Sequence, residues 1–296
     1  MTPSPSSLPA KVAVVGHTEW AEFVQVEQVP EPGDIVHASS CLQLAAGGGA
    51  VAAVQMRRLN GQCIFVTALG SDQVGERTRA GLEAMDLEVE AISRIADQRR
   101  AFVFLDNTGE RTITTIGKRL GPKADDALPW EKFDEVDAVY FTAGDAGALQ
   151  QSRRARNLVA TVRATRALSD AGVELDVLVA SLNDKGEQYT RGDIEPVPRW
   201  VVRTDGSRGG TLESADGEVH DWSSVPVPGP RGDNYGAGDS FAGGLTCGLS
   251  LGLPIKRAIT LGAYCGAAAV RGQGPYGAQA SAEDLADWQR LYPEPG

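Results

Sequence analysis

Along this chain, short apolar runs alternate with stretches whose apolar residues recur every three or four positions. KVAVVG (11–16) reads as a short buried strand ending at a glycine. Residues 18–40 mix polar and apolar positions around an EPGD turn. In GGGAVAAVQMRRLNG (47–61) the glycines precede Val51, Val54 and Leu59 at a loose helical spacing, which predicts a loop and then a helix. CIFVTALG (63–70) reads as a second buried strand, and 73–85 as a helix with Val74, Leu82 and Met85 toward the core. RRAFVFLDNTGERTITTIG (99–117) breaks the rhythm: two β-rich runs flank Asp106, Asn107, Thr108 and Gly109, which predicts a hairpin. Alternation then resumes. Strands are predicted at 137–142, 157–161, 175–180, 200–203 and 211–214, with helices near 147–156 and 163–170. Two Gly/Ala-rich helices, 239–251 and 254–270, and an amphipathic helix at 282–291 close the chain. Repeated β-α alternation predicts an α/β fold: a doubly wound, mostly parallel sheet flanked by helices on both faces. The hairpin and 18–40 do not fit that scheme and are expected as a small β-lid to one side.

Length and charge narrow the function classes. With 296 residues and no low-complexity linker, one large domain plus a lid is expected. The formal charge of -11 argues against nucleic acid, whose phosphates call for clustered Lys and Arg. A phosphorylated small molecule stays open, because backbone N–H groups can hold it. The four cysteines are scattered with no CxxC, and three sit in apolar runs, which fits reduced thiols in a cytoplasmic protein. Three histidines do not make a His-rich metal site. The longest apolar stretch, 258–270, is too short to cross a bilayer, so no membrane role is expected. Residues 1–10, MTPSPSSLPA, read as a flexible tail.

The candidate chemistry lies in DNYGAGDSF (233–241). Gly236, Ala237 and Gly238 precede a helix beginning near Asp239. Small residues let the backbone approach a ligand, and their N–H groups join the unpaired donors of a helix start to make a site for negative charge. An acid beside such a site is misplaced unless its task is to take a proton. A general base next to an anion hole is what phosphoryl transfer to a hydroxyl needs. The competing reading is that Asp239 is a helix N-cap and the glycines a tight turn.

This stretch is similar to the signature Asp-Thr-x-Gly-Ala-Gly-Asp-x-Phe of the ribokinase-like sugar kinases, the phosphofructokinase-B-type family. The similarity extends along the chain: GGGAVAAVQMRRLNG resembles the family's N-terminal glycine motif and LGSDQVG (69–75) the Gly-x-Asp-x-x-Gly after it. TDGSRGG (204–210) resembles the nucleotide loop, and GAAAVRGQGPYG (266–277) the closing loop near the purine. The resemblance implies a ribokinase-like fold over 11–296 with lid elements near 18–40 and 98–118. It implies ATP as donor, Mg2+, and a sugar or sugar-like hydroxyl acceptor. Asp239 is then the base, and Gly236, Ala237 and Gly238 the anion hole. Thr204, Gly206 and Gly209 line the nucleotide, and Arg163 faces the phosphates. Asn183 and Glu187 stand for an Asn-x-x-Glu that organises Mg2+ through phosphates and water, although their spacing is one residue longer. Asn234 replaces the signature's threonine beside Asp233, where some members hold a monovalent cation, so K+ dependence stays open. Glu19, Gly47, Gly48, Gly49 and Asp233 fall on the substrate side, and the lid is a candidate homodimer surface.

Two departures bear on substrate choice. Ala21 stands where the family places a sugar-binding aspartate, with Glu19 and Glu22 nearby, and Val51 or Ala52 stands where it places an asparagine. Glu19 is a candidate substitute, with His17 or Trp20 shaping the pocket. Arg100, Arg111 and Lys118 near the lid could meet an anionic substrate or be solvated hairpin charges, and solvation is the favoured reading. Two alternatives remain: a nucleoside kinase, in which Trp20 stacks on a base, and a non-catalytic nucleotide or metabolite binder of the same fold.

Overall fold

In the computed structural model residues 10–226 and 229–292 are described, so the expected tail lies outside them except for Ala10. Strand β1 (Val12–Val15) is buried throughout, with Val12 and Val14 in one apolar cluster and Ala13 and Val15 in another. Burial on both faces is what a central strand of a helix-covered parallel sheet requires. β2 (Glu19–Gln25), β3 (Ser40–Ala46), α1 (Gly48–Asn60), β4 (Ile64–Gly70), α2 (Gln73–Glu83) and β5 (Glu88–Arg94) follow. Then come the hairpin strands β6 (Arg100–Leu105) and β7 (Arg111–Ile116). The alternating part continues through β8 (Ala138–Phe141), α3 (Ala146–Ser152), β9 (Asn157–Thr161), α4 (Thr165–Ala171), β10 (Val177–Ser181) and β11 (Trp200–Thr204). β12 (Gly210–Ser214), β13 (Val219–Trp222), α5 (Ala237–Ser250), α6 (Ile255–Ala269) and α7 (Ala282–Leu291) complete it.

The large sheet has the order β13-β12-β11-β10-β9-β8-β1-β4-β5. Strands β11 through β5 in that order are parallel, and only the β12–β13 edge runs antiparallel. One face packs α1, α5, α6 and α7 around Met56, Phe65, Leu245 and Trp288; the other packs Phe133, Phe141, Leu149, Leu168 and Leu178. A separate four-stranded sheet, β3-β2-β6-β7, stands to one side. Its inner face buries Ala21, Phe23, Ala101 and Val103 with Tyr235. The expected side element therefore comprises the 99–117 hairpin together with 19–25 and 40–46.

The glycines of α5 have a packing reason. A Cβ on Gly244 would lie 2.6 Å from Cys265 Sγ, one on Gly248 2.8 Å from Ala258 Cα, and one on Gly243 3.0 Å from the Ala52 carbonyl oxygen. These positions let α5 sit directly against α6 and α1. Replacing Gly244 by alanine gains about 1 kcal/mol of helix propensity. It also forces a methyl into a filled contact, which costs about 1–3 kcal/mol. We expect the clash to win and Gly244→Ala to lower the thermal midpoint; a raised midpoint would show that the α5–α6 contact relaxes freely.

Three strands escaped the sequence pattern: β3 runs beyond the expected 18–40 element and is largely exposed. β5 is an edge strand with most residues half-exposed, and β13 is a four-residue edge, so neither shows a clean apolar run. The helix expected at 163–170 begins at Thr165, after a single tight turn over 162–164.

Candidate active site

Beyond the carboxyl ends of β1, β8, β9, β10 and β11 lies a cavity of about 1490 Å³, bounded on the side by the small sheet. Doubly wound sheets bind ligands at this edge because strand ends and helix starts converge there. Two helix N-termini do so here. α1 opens at Gly48 behind Gly47, and α5 opens at Ala237 behind Gly236. They stand so close that a Cβ on Gly48 would lie 2.7 Å from Asp239 Oδ1.

The α5 terminus is built by its small residues. Gly236 adopts φ +77, and a Cβ on it would meet Val51 Cγ1 at 2.9 Å, so only glycine fits. The first helical hydrogen bond runs from Ser240 N to the Gly236 carbonyl oxygen at 2.8 Å. The preceding N–H groups have no intrahelical acceptor. A Cβ on Gly238 would meet nothing within 4 Å, because that side of the turn is the cavity itself.

Asp239 is the third helical residue, not the N-cap, and its side chain caps nothing. It is half-buried, lines the cavity, and receives no hydrogen bond from a described residue. Desolvation and the nearby Glu187 push its pKa up to about 7, against the pull of Arg163 and Arg111, while Glu19 adds to the rise. A carboxyl poised near neutrality in a cavity is suited to accept a proton.

The residues expected at the nucleotide divide. Thr204 and Gly206 line the cavity, the Thr204 hydroxyl donating to the Ala180 carbonyl at 3.4 Å. Gly209 does not: at φ +96 its Cβ position lies 2.0 Å from the Trp222 carbonyl, so it serves the turn into β12. Arg163 bridges Asp184 and Glu187 within the cavity. Asn183 also lines the cavity and donates to Asp205 at 3.1 Å. The acid pair with the expected spacing is therefore Asp184-x-x-Glu187, which removes the extra residue counted from Asn183. Trp222, stacked on Phe241 with centroids 5.5 Å apart, also lines the cavity, and no sequence signal marked it.

Of the residues expected on the substrate side, Gly47, Gly48 and Glu19 line the cavity, and His17 lines it beside them. Burial and the guanidinium groups of Arg119, Arg99 and Arg163 hold His17 neutral, well below its usual range. Glu19 accepts from Arg99 Nε at 3.0 Å; burial raises its pKa and Arg99 opposes the rise. Gly49 is a spacer, since a Cβ there would lie 2.6 Å from the His17 carbonyl. Asp233, expected to touch substrate or a cation, is instead a brace. Its carboxylate accepts from Tyr235 N at 2.9 Å and Gly274 N at 2.6 Å, tying the turn before α5 to the loop after α6. Asn234 reaches the cavity and donates to Glu110 Oε1 of the hairpin tip at 3.0 Å. Trp20 is not in the cavity and packs beside Gly81 of α2. Arg100, Arg111 and Lys118 are exposed, as solvated charges are; Arg100 pairs with Glu22 at 2.5 Å, and Arg111 also lines the cavity together with Arg99 and Arg119, two residues the sequence had not singled out. Among the described residues no group of three acidic, Cys or His side chains forms a metal cage, and no helix is long and apolar enough to cross a membrane.

Comparison with known proteins finds relatives over nearly the whole chain. The family model described as pfkB family carbohydrate kinase matches residues 9–192 and 174–282. An ATP-dependent ribose-1-phosphate kinase of Halopiger xanaduensis is 24% identical over 279 residues, covering 87% of this chain and 90% of that protein. The ribokinase of Thermotoga maritima superposes with a TM-score of 0.75 at 20% identity, over 95% of this chain and 99% of the other. The ribokinase of Arabidopsis thaliana complexed with ribose and ATP gives 0.72 at 18% identity, over 96% and 100%.

Proposed function

The chain belongs to the pfkB family of carbohydrate kinases, and from that premise we propose that it transfers the γ-phosphoryl group of ATP to a hydroxyl of a sugar-like molecule with Asp239 as the base. The observation that carries this reading is the placement of a carboxyl with a pKa of about 7 next to a helix terminus whose amides face the cavity.

The acceptor lies at the end formed by Gly47, Gly48 and the small sheet, and the nucleotide along Thr204, Gly206 and Trp222. Asp239 takes the hydroxyl proton. The freed oxygen forms a bond to the γ-phosphorus while the bond from that phosphorus to the bridging oxygen breaks, and ADP leaves with the electron pair. The amides of the 236–238 turn hold negative charge on the moving phosphoryl oxygens, which is where electrostatic stabilisation counts most. Arg163, fixed by Asp184 and Glu187, presents a guanidinium toward the phosphates. The carboxylates of Asp184 and Glu187 fit hydrated Mg2+, which takes one or two carboxylates plus water and phosphate oxygens; when bound it would neutralise phosphate charge. Each Asp233 carboxylate oxygen already accepts one N–H, which ties the group to the backbone.

The nucleoside-kinase alternative loses its aromatic support with Trp20 outside the cavity. The non-catalytic alternative leaves Asp239 without a role. Purified protein, Mg-ATP and a panel of sugars, sugar derivatives, polyols and nucleosides test the assignment. We expect ADP release with sugar-type acceptors; turnover only with nucleosides would reassign the acceptor, and none with any acceptor would favour a binder.

A further inference from the structure

Resting on the kinase reading above, we propose that His17 selects the acceptor: its Nε2 hydrogen-bonds a second hydroxyl of that molecule, beside the one that Asp239 deprotonates. The side chain is rigidly mounted. His17 follows the buried strand β1, one residue past Gly16, whose N–H donates to the Val66 carbonyl at 3.0 Å. On its other side the Thr18 hydroxyl donates to the Ala46 carbonyl at 3.0 Å, and the Thr18 carbonyl accepts from Gln98 Nε2 at 3.0 Å. A group held this way loses little freedom when a ligand arrives.

The ring lies along the glycine turn that opens α1. A Cβ on Gly47 would stand 3.4 Å from His17 Cδ2, and one on Gly48 would stand 3.6 Å from His17 Cε1 and 2.7 Å from Asp239 Oδ1. Nε2 is the ring atom between Cδ2 and Cε1, so the edge that carries it runs past both glycines and ends beside Asp239. Glycine at 47 and 48 leaves that edge clear of side chains, and all four residues line the cavity.

Neither ring nitrogen is bonded to a described residue, although His17 is only 8% exposed. Nδ1 is shut inside the protein, whereas Nε2 keeps contact with the cavity. Polar side-chain atoms at this depth are nearly always paired, and an unpaired one is costly. A hydroxyl suits Nε2 because it both donates and accepts, and so pairs with either tautomer of the ring. Burial and the guanidinium groups of Arg119, Arg99 and Arg163 keep the imidazole uncharged, so it offers direction rather than charge. Its neighbours are committed elsewhere. Ala21 and Val51 belong to the apolar inner cluster, Glu19 is engaged by Arg99, and the exposed Arg111 and Arg119 act on Asp239 and Glu19 as charges.

The test uses the full chain with Mg-ATP. The probe is the panel compound phosphorylated with the highest kcat/KM, together with its monodeoxy analogues. In the parent one analogue, besides that lacking the reacting hydroxyl, is expected to lose about three- to tenfold in kcat/KM, the range of a neutral hydrogen bond. His17→Leu should raise KM for the intact probe by a similar factor, more than it lowers kcat, while KM for ATP moves far less. In that variant the intact probe and the sensitive analogue should become equal, because each change removes one side of the same contact. His17→Gln, whose amide replaces the ring nitrogen, should restore part of the difference. Thermal midpoints control for folding, and His17→Phe repeats the comparison with the ring shape kept if leucine disturbs the fold. A parent that discriminates against no such analogue, or a leucine variant that weakens every analogue equally, would return His17 to packing and overturn the inference while the kinase reading stands. A matching rise in KM for ATP would assign the ring to the nucleotide and overturn it as well. Failure to phosphorylate any panel compound would instead remove the kinase reading, and the inference with it.

Discussion

Asp239→Asn is expected to lower kcat by about 10²–10⁴-fold while nucleotide affinity, measured by titration without acceptor, stays close to that of the parent. Asparagine keeps the shape of the side chain but can neither take the proton nor carry the carboxylate's charge. The carboxyl sits at the third position of α5 and caps no backbone group, so no structural hydrogen bond goes with it. Loss of nucleotide affinity in step with rate would instead mark Asp239 as part of the scaffold. The raised pKa adds two further readouts. The base must be ionised to work, so kcat/KM of the parent should climb with pH through about 7 and level off above it. Stability follows the opposite course. The folded-state pKa lies above the ordinary carboxylate value, so the folded protein binds this proton more tightly than the unfolded chain. The stability from that proton is complete at low pH and is lost as pH rises through about 7. Above that point the ionised carboxylate burdens the fold. The asparagine variant should therefore melt higher than the parent at pH 8, with the gap closing toward pH 4. A dead enzyme that is more stable than its parent at alkaline pH is hard to explain by a structural cap.

Much of this site was legible because it depends on local backbone chemistry. The run Gly236, Ala237, Gly238 and Asp239 announces a helix terminus with accessible amides and an acid, and the structure makes just that element. What could not be read depends on register and on distant neighbours. Arg99, Arg100 and Arg111 look alike along the hairpin, but strand parity sends Arg111 into the cavity and Arg100 to a partner on the outer face. No single-sequence pattern fixes that parity, because β7 is exposed at every position and carries no apolar alternation. Asn183 was read with Glu187 at a spacing one residue too long, and the sequence did not show that Arg163 joins Glu187 to Asp184 while Asn183 turns to Asp205. Asp233 is conspicuous beside the catalytic turn, yet its acceptors for Tyr235 and Gly274 amides can be known only once residues 41 positions apart are adjacent. The interior glycines of α5 pointed to close approach, but the sequence did not say whether to ligand or protein. Gly243, Gly244 and Gly248 meet protein, and Gly238 meets open cavity.

That difference makes Gly238→Val the second decisive substitution, and we expect it to reduce kcat/KM by about 10²-fold or more, comparable to the loss of an oxyanion-hole donor. The added side chain finds no described atom within 4 Å of its Cβ and projects into the space assigned to the phosphoryl group. The fold should therefore survive, and valine is a better helix residue than glycine, so a drop in activity will not be a drop in stability. Gly236 could not serve this purpose. Its φ of +77 and the Val51 methyl 2.9 Å from its Cβ position would confound backbone strain with occlusion. The substitution at 238 also leaves every backbone N–H in place, so it separates the approach of the phosphate from the presence of the donor. A series through alanine, valine and leucine should lose activity progressively with side-chain volume at nearly constant thermal midpoint. If valine at this position leaves the rate untouched, the moving phosphoryl group does not pass the α5 terminus, and the pairing of amide cradle with Asp239 fails as a mechanism.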